Sequence, residues 1–296
     1  MKLLVIGHYS IDVVHGPDGV ETERPGGIIT PVKVLSSLVG EGDQVIPVFG
    51  VHKNEYRTLV DQLDSIPNVD TAGIFRTEEA THRVMYFTKD DATTVACTKR
   101  IAPPIPFERI RKHLNGADGI LVNMMSGFDI TLETLDHIRM EVRSRSVPVH
   151  FDYHNLTLGV NGSDERFRRP LPDWRRWAFM TESVQLNEEE MAGLTLEKLT
   201  EDQTVGHFLT LGIKALVLTR GAKGLTLFFS EHKKVHRHDV PPETVIDGDA
   251  TGCGDVFGAG FLFHNITSKD LAASANRAAH LAAGAVRPFP PAPAPM

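Results

Sequence analysis

The sequence predicts an α/β fold with a mostly parallel central sheet and a small antiparallel β-strand flap beside it. Three observations carry this. Short, continuously apolar runs recur along the chain, as strands covered on both faces require. Segments with a helical apolar repeat fall between them. Two further stretches alternate apolar and polar residues, as strands with one wet face do.

In chain order, residues 3–6, ended by Gly7, read as the first buried strand. Residues 45–49, 120–122, 147–151 and 184–186 follow, and Ala-Leu-Val-Leu-Thr at 215–219 is the clearest. Among the helices, residues 131–143 place Leu132, Leu135, Ile138 and Val142 on one face. Residues 187–194 and 205–211 are shorter candidates, and 271–285 is a helix of small residues. The flap is drawn from two regions. One is 12–27, rich in Gly, Pro and charge; the other is 71–101, with extended pieces at 73–76, 83–88 and 93–98. Trp174 and Trp177 read as a half-buried helix face, and the basic run 232–238 as a solvated hairpin. The tail 287–296 holds five prolines and no period, so it reads as frayed. The length of 296 residues fits one large α/β domain or two small ones and does not choose between them.

Composition narrows the function. Hydrophobic residues are 41% and charged residues 23%, the balance of a soluble globular chain. A net charge of −7 argues against a broad nucleic-acid surface. The two cysteines, Cys97 and Cys253, make no disulfide framework, which points to a reducing cytoplasm. No apolar run approaches the roughly 18 residues of a membrane span.

The informative segment is Asp249-Ala250-Thr251-Gly252-Cys253-Gly254-Asp255, leading into an apolar helix. Amides at a helix start have no intrahelical partner and, with the helix dipole, form an anion site. Gly252 and Gly254 let backbone approach a ligand. Asp255 would repel an anion, and makes sense as the acceptor of a proton from a hydroxyl that attacks it. An ordinary helix N-terminus with an acidic first turn is the alternative. Asn187 and Glu190, three apart, share a helix face and suit either a site near Mg²⁺ or a capping box. There is no Gly-x-x-x-x-Gly-Lys-Ser/Thr loop, and Gly7-His8-Tyr9 is no dinucleotide fingerprint.

The longer pattern Asp-x-Thr-Gly-x-Gly-Asp resembles the signature of the PfkB/ribokinase family of carbohydrate and nucleoside kinases. Gln185-Leu186-Asn187-Glu188-Glu189-Glu190 resembles that family's Asn-x-x-Glu motif, and Leu218 to Gly224 its nucleotide-side strand–turn. Pro25-Gly26-Gly27 resembles its N-terminal Gly-Gly signature, and the segment 7–12 its substrate-holding first strand. The resemblance implies that 1–296 form a single domain, a Rossmann-like three-layer sandwich with a β lid from about 12–27 and 71–101. It implies transfer of the γ-phosphoryl group of ATP to a hydroxyl of a sugar, polyol or nucleoside. Asp255 would be the catalytic base, with Gly252, Cys253 and Gly254 around the anion hole. Thr219, Gly221, Gly224, Thr251 and Asn276 would serve ATP, and Asn187 and Glu190 Mg²⁺. Asp12, Gly26, Gly27, Asn123 and Asp152 would meet the acceptor. The resemblance leaves room for a monovalent cation and for a homodimer through the lid, and implies neither a nucleic-acid nor a membrane partner.

The sequence departs from that pattern at Ile28-Ile29-Thr30-Pro31, where the family's substrate-binding Asn is missing, and at Cys253, where Ala is commoner. The opening Gly-x-Tyr-x-x-Asp is similar to inositol-kinase-like members. A catalytically silent ligand-binding or regulatory protein on the same fold is the second reading. His150 and His154 flank Asp152, but a non-helical segment does not converge them on a metal.

Overall fold

The computed structural model describes residues 1–15, 20–90, 93–179, 181–232, 234–243 and 248–288. Fifteen strands build the two larger sheets and one hairpin. They are β1 (Lys2–Ile6), β2 (Tyr9–His15), β3 (Glu21–Gly27), β4 (Gln44–His52), β5 (Ile74–Thr77), β6 (His82–Asp90), β7 (Thr93–Lys99), β8 (Gly119–Asn123), β9 (Val149–Asp152), β10 (Leu158–Val160), β11 (Arg166–Arg168), β12 (Ser183–Asn187), β13 (Ala215–Thr219), β14 (Leu225–Glu231) and β15 (Lys234–Val240). The helices are α1 (Ile29–Leu38), α2 (Lys53–Asp64), α3 (Phe107–Leu114), α4 (Leu132–Val142), α5 (Trp174–Phe179), α6 (Glu188–Ala192), α7 (Glu201–Thr210), α8 (Cys253–Ser268) and α9 (Leu271–Ala283).

The main sheet has nine strands in the order β15-β14-β13-β12-β9-β8-β1-β4-β5. Pairing is parallel from β13 to β5, and antiparallel where β14 and β15 extend it. Alternate residues feed two layers of helices. Ala215 and Val217 of β13 pack with Phe257, Phe261, Ala275 and Ala278 of α8 and α9. Leu216 and Leu218, on the other face, share a core with Val205 and Phe208 of α7. Burial on both sides is why this strand reads as one unbroken apolar run. The three-layer α/β expectation therefore holds.

The second sheet has four strands, in the order β3-β2-β6-β7. Its inner pair, β2 and β6, is parallel where an antiparallel flap was expected, and only its outer pairs are antiparallel. Two further details differ from the sequence expectation. This sheet begins at Tyr9 rather than Asp12, and residues 16–19 and 91–92 lie outside the described residues. The first piece of 71–101 does not join it: Thr71–Gly73 is a 3₁₀ turn, and Ile74–Thr77 is the edge strand of the main sheet, parallel to β4. At the sheet's edge β5 buries only Ile74 fully, so its sequence does not separate it from the partly exposed strands of the second sheet.

Trp174 and Trp177 are buried, at 1% and 7% exposure, rather than half-buried. Trp174 packs against Phe208 and Trp177 against Phe151, both ring pairs tilted. The basic run 232–238 supplies most of the outer edge strand β15, whose charged side chains suit an exposed edge. At the C-terminus, Arg287–Pro288 pairs with Gly248–Asp249, and the rest of the tail, 289–296, lies outside the described residues. Among the described residues no helix is long and apolar enough to cross a membrane.

Candidate active site

The site grows from the C-terminal ends of the parallel strands, where open α/β sheets hold ligands. A cavity of about 200 Å³ lies between those ends and the four-stranded sheet. One wall carries Ser10, Asp12, Arg24, Gly26, Gly27, His82 and Tyr86; the other carries His154, Asn155, Thr251, Gly252 and Asp255. Arg166 of β11 also reaches it.

Helix α8 starts at Gly252, whose φ of +86° is a left-handed conformation that favours glycine. The Cys253 amide donates to the Ala250 carbonyl at 3.0 Å, so the first helical turn offers the Gly254 and Asp255 amides instead. At Gly254 a Cβ would meet nothing closer than Gln185 Nε2 at 3.5 Å, an ordinary contact. The folded chain itself does not require glycine there.

Asp255 is 6% exposed. Its Oδ1 accepts a 2.8 Å hydrogen bond from Asn123 Nδ2 and lies 3.9 Å from His154 Nδ1. Asn123 thus turns to Asp255 and does not line the cavity, contrary to its expected place beside the acceptor. Asp152 is also behind the cavity wall: it is 3% exposed, accepts from the His154 amide at 3.2 Å and lies 3.4 Å from Gln185 Nε2. Burial, reinforced by Glu190 and Asp255, holds the Asp152 carboxyl well above the usual carboxylate range.

Asn187 caps α6 and forms a full capping box with Glu190. The Asn187 amide donates to Glu190 Oε2, its side-chain NH₂ to Oε1, and the Glu190 amide to Asn187 Oδ1, each at 2.8 Å. Burial also raises the Glu190 pKa, against lowering by His154, Asn187 and Arg168. The ligand atoms of Asp152, His154 and Asp255 lie within 4.8 Å of one another. His150 points elsewhere, into the core, with Nδ1 2.8 Å from Ser183 Oγ.

On the opposite wall, Ser10 Oγ donates to Asp12 Oδ1 at 2.8 Å, and Arg24 Nε lies 3.9 Å from Asp12 Oδ2. Burial raises the Asp12 pKa against the lowering by Ser10, Arg24 and Arg166. A Cβ on Gly26 would collide with the Asp12 carboxylate, which explains the glycine. Gly27 turns the chain at φ +63°. Burial lowers the Arg166 pKa, and its guanidinium donates to Thr98 Oγ1.

Thr219, Gly221, Gly224 and Asn276 do not line this cavity. Gly221 and Gly224 shape the β13–β14 turn with φ of +55° and +87°. A second cavity, about 340 Å³, opens beside it between Arg220, Lys223, Arg237 and Pro241. Arg220 is tied to Glu188 and Glu201 at 2.7 Å. Asn276 Oδ1 meets His238 Nε2 at 3.1 Å on the surface of α9.

Sequence reading missed Ser10, Arg24, His82, Tyr86, Asn155 and Arg166, and set aside His154, which it weighed only with His150 as a metal ligand. Ser10 had a signal, since it shares a strand face with Asp12. His82 and Tyr86 had none, because the Ser10–His82 and Val14–Tyr86 register that brings them in is tertiary.

Residues 161–289 match the pfkB family of carbohydrate kinases. A cytidine kinase of Thermococcus kodakarensis is 24% identical over 269 residues, 88% of this chain and 87% of that protein. Ribokinase from Thermotoga maritima superposes with a TM-score of 0.75 at 20% identity, covering 98% of this chain and 94% of the other. A pyrophosphate-dependent kinase in the ribokinase family, complexed with a pyrophosphate analog and myo-inositol, gives 0.74 at 15% identity, covering 97% and 96%. At these identities the structural likenesses are likenesses of fold.

Proposed function

We propose that this chain, of the pfkB carbohydrate-kinase family over residues 161–289 and with a ribokinase fold throughout, transfers a terminal phosphoryl group to a hydroxyl of a small sugar, polyol or nucleoside. One observation carries the reading: Asp12 and Asp255 face a single small cavity from opposite walls, at the N-terminus of a long helix.

The acceptor lies against Asp12, whose carboxylate, steadied by Ser10 and Arg24, accepts hydrogen bonds from hydroxyls. Its reacting hydroxyl points at Asp255. The Asn123 bond to Oδ1 orients that carboxylate and leaves Oδ2 without a side-chain hydrogen bond among the described residues. Asp255 takes the hydroxyl proton as the acceptor oxygen bonds to phosphorus, and the phosphorus–oxygen bond to the leaving group breaks. The amides at the start of α8 steady the negative charge in flight. The donor is ATP, laid from the β13–β14 turn toward α8, with Thr251 and Gly252 at its phosphate end.

Asp152 and Asp255 bring ligand atoms, together with that of His154, within 4.8 Å of one another; burial, with the charges of Glu190 and Asp255, raises Asp152, and this carboxylate pair suits Mg²⁺. Mg²⁺ bound there would neutralise charge on the donor phosphates. Glu190 has both oxygens engaged by Asn187, so its part fits contact through water.

The test is acceptor-dependent release of ADP with ribose, fructose, myo-inositol and cytidine, with pyrophosphate as a parallel donor. Turnover by one acceptor above the others supports the reading. Tight binding without phosphorylation of any acceptor would favour the silent ligand-binding protein instead.

A further inference from the structure

Gln185 sits on β12 between the central strands and the start of α8, and is 3% exposed. Its Nε2 donates to the Gly254 carbonyl at 2.9 Å and lies 3.4 Å from Asp152 Oδ2. Its Oε1 faces His150 Nε2 at 3.3 Å. His150 has no exposure, and its Nδ1 lies 2.8 Å from Ser183 Oγ. A ring whose partners are a hydroxyl and an amide, with no carboxylate at either nitrogen, is neutral and carries one N–H. The Ser183 hydroxyl can donate to Nδ1, which leaves Nε2–H to donate to Gln185 Oε1. The NH₂ end then turns to the Gly254 carbonyl and Asp152. The flipped amide would set Oε1 against both a carbonyl and a carboxylate, so two independent contacts fix one orientation. Gly258, a turn further along α8, keeps the room: a Cβ there would come within 3.0 Å of Gln185 Oε1.

We propose that Gln185, oriented by His150 and Ser183, is a positioning residue that clamps the Gly254 carbonyl and so fixes the proton-accepting end of α8 against the central sheet. The inference rests on the kinase reading above. Gly254 immediately precedes Asp255, and the clamp joins their backbone to β9 and β12, the strands that also present Asp152 and Asn187. Without it the helix start keeps its fold but not its placement, and a misplacement of about 1 Å at reacting groups costs on the order of a hundredfold in rate.

The test compares Gln185→Leu and Gln185→Met in a Cys97→Ser background, so that Cys253 is the single thiol. Neither replacement can donate to Gly254. Steady-state kinetics should show kcat lower by about ten- to hundredfold and acceptor KM within about twofold. The second readout needs no turnover: Cys253, the residue before Gly254, should react several-fold faster with a thiol reagent once the turn is loosened. Unchanged kcat and unchanged thiol rate in both variants overturn the proposal, as does a lower Tm with both rates unchanged. Should Gln185→Leu fail to fold, Gln185→Met decides. If the unsubstituted protein phosphorylates no acceptor, the kinase reading falls, and the thiol rates still decide whether the clamp exists.

Discussion

An amide at position 255 could keep the Asn123 contact but could not take up a proton. Asp255→Asn is therefore expected to lower kcat by about 10²–10⁴-fold, while ATP affinity, read by calorimetry, stays within a few-fold. Gly254→Ala separates chain from ligand. The folded protein has room for the methyl, and alanine favours helix, so thermal stability should hold or rise. Activity should still fall, because the methyl stands where an anion must approach backbone. Full activity in Gly254→Ala would remove the anion-site role. Gly26→Ala should instead act through Asp12, whose carboxylate the new methyl would displace, and should raise acceptor KM far more than ATP KM. Asp12 and Asp255 were legible because short motifs with a chemical reason surround them. Arg166 was not: it lies on a three-residue strand in a stretch with no period, and only the fold carries it to the cavity.

The element that tests two roles at once is α6. Its capping box is complete, so the capping alternative open in the sequence holds structurally. The cap alone predicts that Asn187→Ala costs about 1 kcal/mol of stability. Glu190→Gln removes a buried, destabilised charge and loses only part of the box. Its Tm at neutral pH should therefore be kept or raised, while the Mg²⁺ concentration for half-maximal rate goes up. An unchanged Mg²⁺ dependence would leave α6 as a cap only. Elements covered on both faces were readable because their sequences have no wet side, as in β1, where Leu3, Leu4, Val5 and Ile6 have no exposure. Strand β5 was misassigned because only Ile74 of its four residues is buried, and so short a part-wet strand reads like those of the second sheet. Which sheet a half-wet strand joins is decided by its pairing partner, and local sequence does not encode that partner.

Across the whole molecule, two sets of buried groups pull stability in opposite directions with pH. Burial pushes His150 from 6.5 down to about 4, so the unfolded chain binds its proton first. That stability is complete above pH 6.5 and is lost as the pH falls toward 4, roughly 3 kcal/mol from this residue. Asp152, Glu190 and Asp12 are raised, so their folded forms bind protons first, and acidification through those raised values relieves a cost present at neutral pH. Asp152→Asn should therefore raise Tm at pH 7, and its advantage over the parent should shrink as the pH is lowered. A thermal-shift series taken from neutral pH downward checks this; an advantage that does not shrink would contradict the assignment. The divided cavity has a further consequence, on the timescale of descent rather than of turnover. Asp12, Arg24, His82 and Tyr86 belong to one sheet, and Thr251 through Asp255 to a helix start encoded far downstream. Changes that retune which molecule is accepted can accumulate in the early stretch without crossing the late one, so a lineage built on this plan can change diet while keeping its chemistry.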